Sequence, residues 1–173
     1  MPTALVIIDM QQGMFMDTVA PYRGEEVLER CADLLARARA ARIPIFHVQH
    51  DGGAGDILAK GSPGFPHHPD VAPKAGEPVV VKQNISAFHS TDFHDRLTKA
   101  GIDRLVIAGM QTEMCVDTAC RAAKALGYEV VLAADAHTTF DNRVLPAERI
   151  VAHHNNALDG AFARLLNAAD IGF

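Results

Sequence analysis

Apolar and polar positions along this chain switch between two periods. Ala4-Leu5-Val6-Ile7-Ile8 is an unbroken apolar run that stops at Asp9, the pattern of a strand buried on both faces. From Glu25 to Ala41 the apolar residues fall at Val27, Leu28, Ala32, Leu34, Leu35 and Ala38, the spacing of an amphipathic helix. Ile43 to Val48 reads as a second strand, with Pro44 near its start, where a missing donor does least harm. Residues 51–78 are rich in Gly, Pro and His and read as one long functional loop. Further strands are expected at Pro78 to Lys82, Arg104 to Gly109 and Glu129 to Ala134, the last ending at Asp135. Helices are expected over Thr91 to Ala100, capped by Thr91 or Ser90, over Glu113 to Leu126, stopped by Gly127, and over Pro146 to Leu158. Phe162 to Leu166 reads as a sixth short strand.

Strands that are apolar runs, alternating with helices, predict an α/β fold: a doubly wound, six-stranded parallel sheet with helices on both faces. A chain of 173 residues is expected to form a single domain over 1–173. In such a sheet ligands bind beyond the carboxyl ends of the strands, so chemistry is sought there.

Composition narrows the partners. Net charge is −5, and the 16 Lys and Arg are scattered without a run, so neither nucleic acid nor an anionic membrane is the expected partner. No stretch approaches the roughly 18 apolar residues of a membrane span. The start Met1-Pro2-Thr3 has no basic region of the kind that opens a secretory leader. Three cysteines, Cys31, Cys115 and Cys120, lack zinc-type spacing. Free thiols in an acidic chain point to a reducing, cytoplasmic setting.

Asp9, Lys82 and the turn from Gly109 to Cys115 each follow an apolar strand directly. Right-handed crossovers bring such ends to one edge of the sheet. A carboxylate, an ammonium and a thiol would then meet. Cys115 opens a helix, where the dipole and Lys82 are expected to lower its pKa and favour the attacking thiolate. Asp9 would hold or take the thiol proton, and backbone N–H groups of the turn would stabilise an oxyanion. Each residue alone has an ordinary reading: a cysteine among alanines is a small core residue, an aspartate at a strand end a turn residue, a lysine there a solvated charge. It is the joint occurrence of types that suits thiol-based acyl transfer. Cys31 and Cys120 read as packing residues.

Three ordered segments resemble one family: Leu5-Val6-Ile7-Ile8-Asp9-Met10-Gln11, Val80-Val81-Lys82, and Val106-Ile107-Ala108-Gly109-Met110-Gln111-Thr112-Glu113-Met114-Cys115-Val116, with Asp135-Ala136 fitting as well. The family is the isochorismatase-like cysteine hydrolases, which include nicotinamidases, N-carbamoylsarcosine amidases and isochorismatases. The resemblance implies a six-stranded parallel sheet, an Asp9–Lys82–Cys115 triad, a cis peptide at Met110-Gln111, and an oxyanion hole from the N–H groups of Gln111 and Cys115. It also implies a homo-oligomer, dimer or tetramer. The function it implies is hydrolysis of a C–N bond of a small-molecule substrate through a thioester, without a cofactor. Vinyl-ether hydrolysis of the isochorismatase type is the alternative. A doubly wound binding module would need a glycine-rich phosphate loop after the first strand, and that segment has a single glycine, Gly13, and an acid.

Nicotinamidases of the family carry an Asp-x-His metal motif after the second strand. Here Asp51 is followed two places on by Gly53, so no metal site is expected there. His47 and His50, with His67 or His68, remain an alternative set. Gln11, Phe15, His50, Phe88 and His89 are the candidates for pocket walls, by their nearness to the motifs.

Overall fold

The computed structural model of the chain describes residues 1–16 and 20–173. Six strands form one sheet: β1 (Thr3–Ile8), β2 (Ile45–His50), β3 (Val79–Lys82), β4 (Arg104–Met110), β5 (Glu129–Thr138) and β6 (Arg164–Leu166). Four α-helices intervene: α1 (Gly24–Ala40), α2 (Phe93–Lys99), α3 (Asp117–Ala125) and α4 (Ala147–Leu158). The strand order is β3-β2-β1-β4-β5-β6, and every pairing is parallel.

Burial on both faces of β1 explains its unbroken apolar run. Ala4, Val6 and Ile8 enter one core with α2 and α3, while Leu5 and Ile7 enter the other with α1 and the C-terminal segment. Helix α1 presents Val27, Leu28, Cys31, Leu34, Leu35 and Ala38 to the sheet, and its first turn carries Glu25 and Glu26 and its last Arg37 and Arg39, as the helix dipole favours. Cys31 and Cys120 are core residues, each pushed up to about 12 by burial.

Several elements depart from the expected bounds. Strand β2 begins at Ile45 and runs to His50, because Pro44 has no N–H for the ladder and supplies only its carbonyl, to Leu5. Strand β5 runs through Asp135 to Thr138. The side chain of Asp135 is engaged by Arg30 at 3.0 Å and by the Ala168 N–H at 2.7 Å, so it fastens the C-terminal segment instead of ending the strand. The segment before α3 is a π-helical turn, Thr112–Val116, closed by the Val116 N–H on the Gln111 carbonyl. Helix α2 is shorter than expected, and Thr91 accepts from the Phe93 N–H at its start.

The long loop after β2 folds back on the end of β1. The N–H groups of Gln12 and Gly13 donate to the carbonyls of Pro66 and Gly64, and the His68 N–H donates to the Met10 carbonyl. Close approach also governs β1 and β4. Gly109 has φ +125°, and a Cβ there would lie 2.1 Å from the Ile8 carbonyl oxygen. Only glycine allows the two strands to meet just before their functional ends.

The entrance to β3 is braced by Glu77. Its carboxylate takes two bonds from Arg39, at 2.7 and 2.9 Å, one from the Lys74 N–H at 2.9 Å and one from His47 at 2.9 Å. Burial alone would raise this carboxyl, but Arg39, the Lys74 N–H and His47 outweigh it and hold it at about 2. A carboxyl held below its unfolded value contributes stability that is complete above about pH 4.5 and is lost as pH falls toward 2. Glu77→Gln is therefore expected to lose about 1–3 kcal/mol near neutral pH and to flatten the acid limb of stability between pH 5 and 2, read by urea unfolding across that range. Gly109→Ala is expected to cost at least about 2 kcal/mol in the same assay; a stability equal to the parent's would contradict the close approach.

Candidate active site

Strand order 3-2-1-4-5-6 places a topological switch point between β1 and β4, where crossovers leave in opposite directions and a crevice opens at the carboxyl ends. Asp9 follows β1 at this point, and the turn bearing Cys115 follows β4. Asp9 adopts φ +50°, a left-handed conformation that a short polar side chain tolerates. Its N–H still donates to the Val48 carbonyl at 3.0 Å, so pairing with β2 continues one residue past the strand. Lys82 ends β3, two strands away, and its long side chain reaches across the end of β2.

Those three side chains meet. Lys82 Nζ is 2.8 Å from Asp9 Oδ2 and donates to Cys115 Sγ at 3.2 Å. It also stands 3.2 Å from His50 Nδ1. Asp9 and Lys82 are 1% exposed and Cys115 8%, so the group is nearly dry. Asp9 Oδ1 is buried without a hydrogen-bond partner among the described residues.

Electrostatics correct one expectation. The Cys115 thiol is not lowered but pushed up to about 12, by burial first and then by the Asp9 charge, both outweighing Lys82. The sulfur sits inside the π-helical turn, which runs directly into α3 two residues beyond Cys115. Asp9 is itself raised above the usual carboxylate range, because desolvation exceeds the attraction of Lys82. Both shifts favour the proton on sulfur and make the neighbouring carboxylate a stronger base than an exposed one.

The peptide bond between Met110 and Gln111 is cis. Among the described residues, the Gln111 N–H meets no acceptor. Of the other candidates, only His50 stands at the triad. Gln11 is fully buried and its amide is engaged on backbone: Nε2 donates to the carbonyls of His50 and Phe65, and Oε1 accepts from the His50 N–H. It fastens β2 and the long loop to the end of β1. Phe15 lies edge-on to His68, at 5.1 Å between ring centres, in a cavity of about 490 Å³ whose walls include none of the three. Phe88 is half-buried and packs against the core through Phe93 and Tyr128, and His89 is exposed. His47 is bound to Glu77 and packs 5.5 Å from His67, away from His50's partner Lys82. No three His, Cys, Asp or Glu side chains are grouped to hold a metal among the described residues.

One buried polar group lay outside the sequence reasoning. His137, 2% exposed, bonds Thr112 Oγ1 and Asn155 Oδ1, each at 2.8 Å. The polar run His137-Thr138-Thr139, closing a strand that begins as an apolar run, is the signal that marks it.

A thiol, an ammonium and a carboxylate gathered at the switch point of a parallel sheet suit an enzyme rather than a nucleotide carrier. The isochorismatase domain pattern matches residues 3–170, and the chain belongs to the isochorismatase family. It is 34% identical over 170 residues to the uncharacterized isochorismatase family protein YddQ of Bacillus subtilis, covering 94% of each chain. It is 38% identical over 143 residues to a streptothricin hydrolase of Streptomyces noursei, covering 83% of this chain and 57% of that protein. The chain thus spans little more than half the length of that relative. Among solved structures, an isochorismatase from Pseudomonas putida superposes with a TM-score of 0.95 at 29% identity, covering 99% of this chain and 90% of the other. No helix among the described residues is long and apolar enough to cross a membrane.

The charge arrangement gives a direct test. Lys82 is the neighbour that holds the thiol down, and removing its charge leaves burial and Asp9 unopposed. In Lys82→Met, alkylation of Cys115 by iodoacetamide at pH 8 is expected to run at least about threefold slower than in the parent, followed by mass mapping. Labelling as fast as the parent's would contradict this account of the thiol.

Proposed function

We propose that this hydrolase-family protein cleaves a C–N, amide-type bond of a small metabolite through a thioester on Cys115. The observation that carries the reading is the buried contact series Asp9 Oδ2–Lys82 Nζ–Cys115 Sγ, at 2.8 and 3.2 Å.

In this reading the Cys115 thiol passes its proton to Asp9 as the sulfur attacks the carbonyl carbon. The raised Asp9 and its open Oδ1 suit that role. The carbonyl π pair moves to oxygen, and the oxyanion takes the N–H groups of Gln111 and Cys115. Collapse breaks the C–N bond, and the departing nitrogen takes the proton from Asp9. A water then gives Asp9 a proton and adds to the thioester; collapse releases the acid, and the sulfur recovers its proton. Lys82 keeps positive charge against both Asp9 and the sulfur throughout, so neither transfer leaves an unpaired buried charge. Because the thiol resists ionising alone, proton transfer and attack are coupled to substrate arrival, which limits idle reaction with other electrophiles.

A second reading is favoured by the same raised carboxyl. A protonated Asp9 could protonate a vinyl ether, and that reaction needs no thiol. We include in the proposal a small-molecule substrate and self-association. Exposed Ile57, Ile85, Met114 and Val144 lie on the loops after β2, β3, β4 and β5, at one end of the sheet, and sedimentation would show a dimer or larger species.

Turnover of a panel of small amides and a vinyl ether separates the two chemistries. Cys115→Ala is expected to lose amide turnover by at least about 10³-fold, as is typical for a nucleophile. Lys82→Ala is expected to lose at least about 10²-fold. Full amide turnover in Cys115→Ala would rule out the thioester, and loss confined to Asp9→Asn with a vinyl ether as substrate would establish the second reading.

A further inference from the structure

His137 joins the turn that carries Cys115 to a helix on the far side, through bonds whose direction can be worked out. Asn155 Nδ2 donates to the Ala134 carbonyl at 3.0 Å. Only an amide nitrogen can do so, which fixes the Asn155 orientation and leaves Oδ1 as the acceptor facing His137 Nε2 at 2.8 Å. Nε2 therefore carries the proton. A neutral imidazole protonated at Nε2 has a bare Nδ1, and Thr112 Oγ1 lies 2.8 Å from it. The Thr112 hydroxyl must then donate to His137. Burial supports the neutral form, holding the imidazole down at about 4. The chain of donors runs one way: Thr112 to His137, His137 to Asn155, Asn155 to Ala134.

The anchor end lies in regular structure. Ala134 and His137 belong to β5, which pairs there with β4, and Asn155 belongs to α4. The free end is Thr112, fully buried, the first residue of the π-helical turn and the neighbour of Gln111. A turn whose side chain is tied from behind cannot rotate about its own axis. Its rotation would swing the Gln111 N–H, which meets no acceptor among the described residues.

We infer that the Thr112–His137–Asn155 chain is a positioning device for the oxyanion site: it sets the orientation of the turn bearing the Gln111 and Cys115 N–H groups without touching substrate. The inference rests on the thioester reading above, and it adds residues that act through Thr112. The three residues are positioning residues. Loss of any one leaves the thiol, Asp9 and Lys82 in contact but loosens the donors.

A pair of probes separates the two functions of the site. Iodoacetamide forms an S–C bond by displacing iodide and makes no oxyanion, so it reads the thiol alone. Acetaldehyde adds to the thiol: the S–C bond forms, the C=O π pair moves to oxygen, and the sulfur's proton ends on that oxygen as a hemithioacetal. That adduct places its oxygen where the oxyanion would sit. Binding of ¹³C-labelled acetaldehyde to the full protein is followed by NMR, with mass mapping of iodoacetamide labelling in parallel. In Thr112→Val, which keeps shape and loses the donor, acetaldehyde affinity is expected to fall about 10- to 100-fold, with the labelling rate within about twofold of the parent. Thr112→Ser restores the donor and is expected to recover affinity to within about threefold. Asn155→Leu, two bonds away, is expected to weaken affinity in the same direction, and Thr112→Val/Asn155→Leu to be no weaker than Thr112→Val alone, since one chain is already broken.

Thr112→Val binding acetaldehyde as the parent does would overturn the inference, as would additive losses in the double variant. A parent that labels at Cys115 but forms no hemithioacetal lacks a working oxyanion site, and the inference falls while the thiol reading survives. A parent whose Cys115 does neither overturns both.

Discussion

A buried ion pair beside a thiol is the constraint on which this molecule is organised. Taking Asp9 and Lys82 out of water costs several kcal/mol per ion, offset by their contact at 2.8 Å and by the Lys82 contacts with Cys115 Sγ and His50 Nδ1. Neither charge can be moved, lost or left alone without that cost returning. The sulfur shares the same dry space. It inherits a raised pKa from the burial and from the Asp9 charge, so the site holds its nucleophile protonated and its base ready. Reactivity then depends on a molecule entering that completes the charge balance, not on a thiolate standing in wait.

The sheet topology makes this gathering possible. Asp9, Lys82 and Cys115 come from three crossovers and lie at the ends of three strands, with His50 of β2 between two of them. Adjacent strand ends supply short side chains, and the strand two places away supplies the longest. The contact of Gly109 with the Ile8 carbonyl brings β1 and β4 together immediately before the two residues that must meet. Behind the site, Gln11 locks β2 and the long loop to β1, and His137 links the π-helical turn to β5 and α4. Gln11, Thr112 and His137 are engaged on backbone or on other side chains, which is how such groups become tolerable in a core.

Much of this was legible in the amino-acid order. Apolar runs ending in Asp9, Lys82 and the Gly109 turn marked both the strands and the chemistry, because a doubly buried strand has no other place for a charge than its end. What stayed hidden depends on surroundings that local order does not encode. The thiol's pKa follows from how dry the site is and from its distance to Asp9. Strand β5 outran its apolar stretch because Asp135 found Arg30 and the Ala168 N–H, partners distant along the chain. Gln11 and Phe88 carry the composition of pocket walls; in the fold Gln11 also fastens backbone, and Phe88 is a half-buried ring packed against the core. Only their neighbours distinguish these roles.

Lys82 sits on a strand of four residues that has one neighbour, β2, and an open side where Val81 is exposed. Edge strands of this kind open at a smaller free energy than the interior of the sheet. The ammonium that offsets the Asp9 charge is therefore carried by the most easily detached piece of the active centre, held at its base by Glu77. On warming, such a protein would fall silent while most of its sheet and helices remained intact, so catalytic half-life and cooperative melting would report two different events.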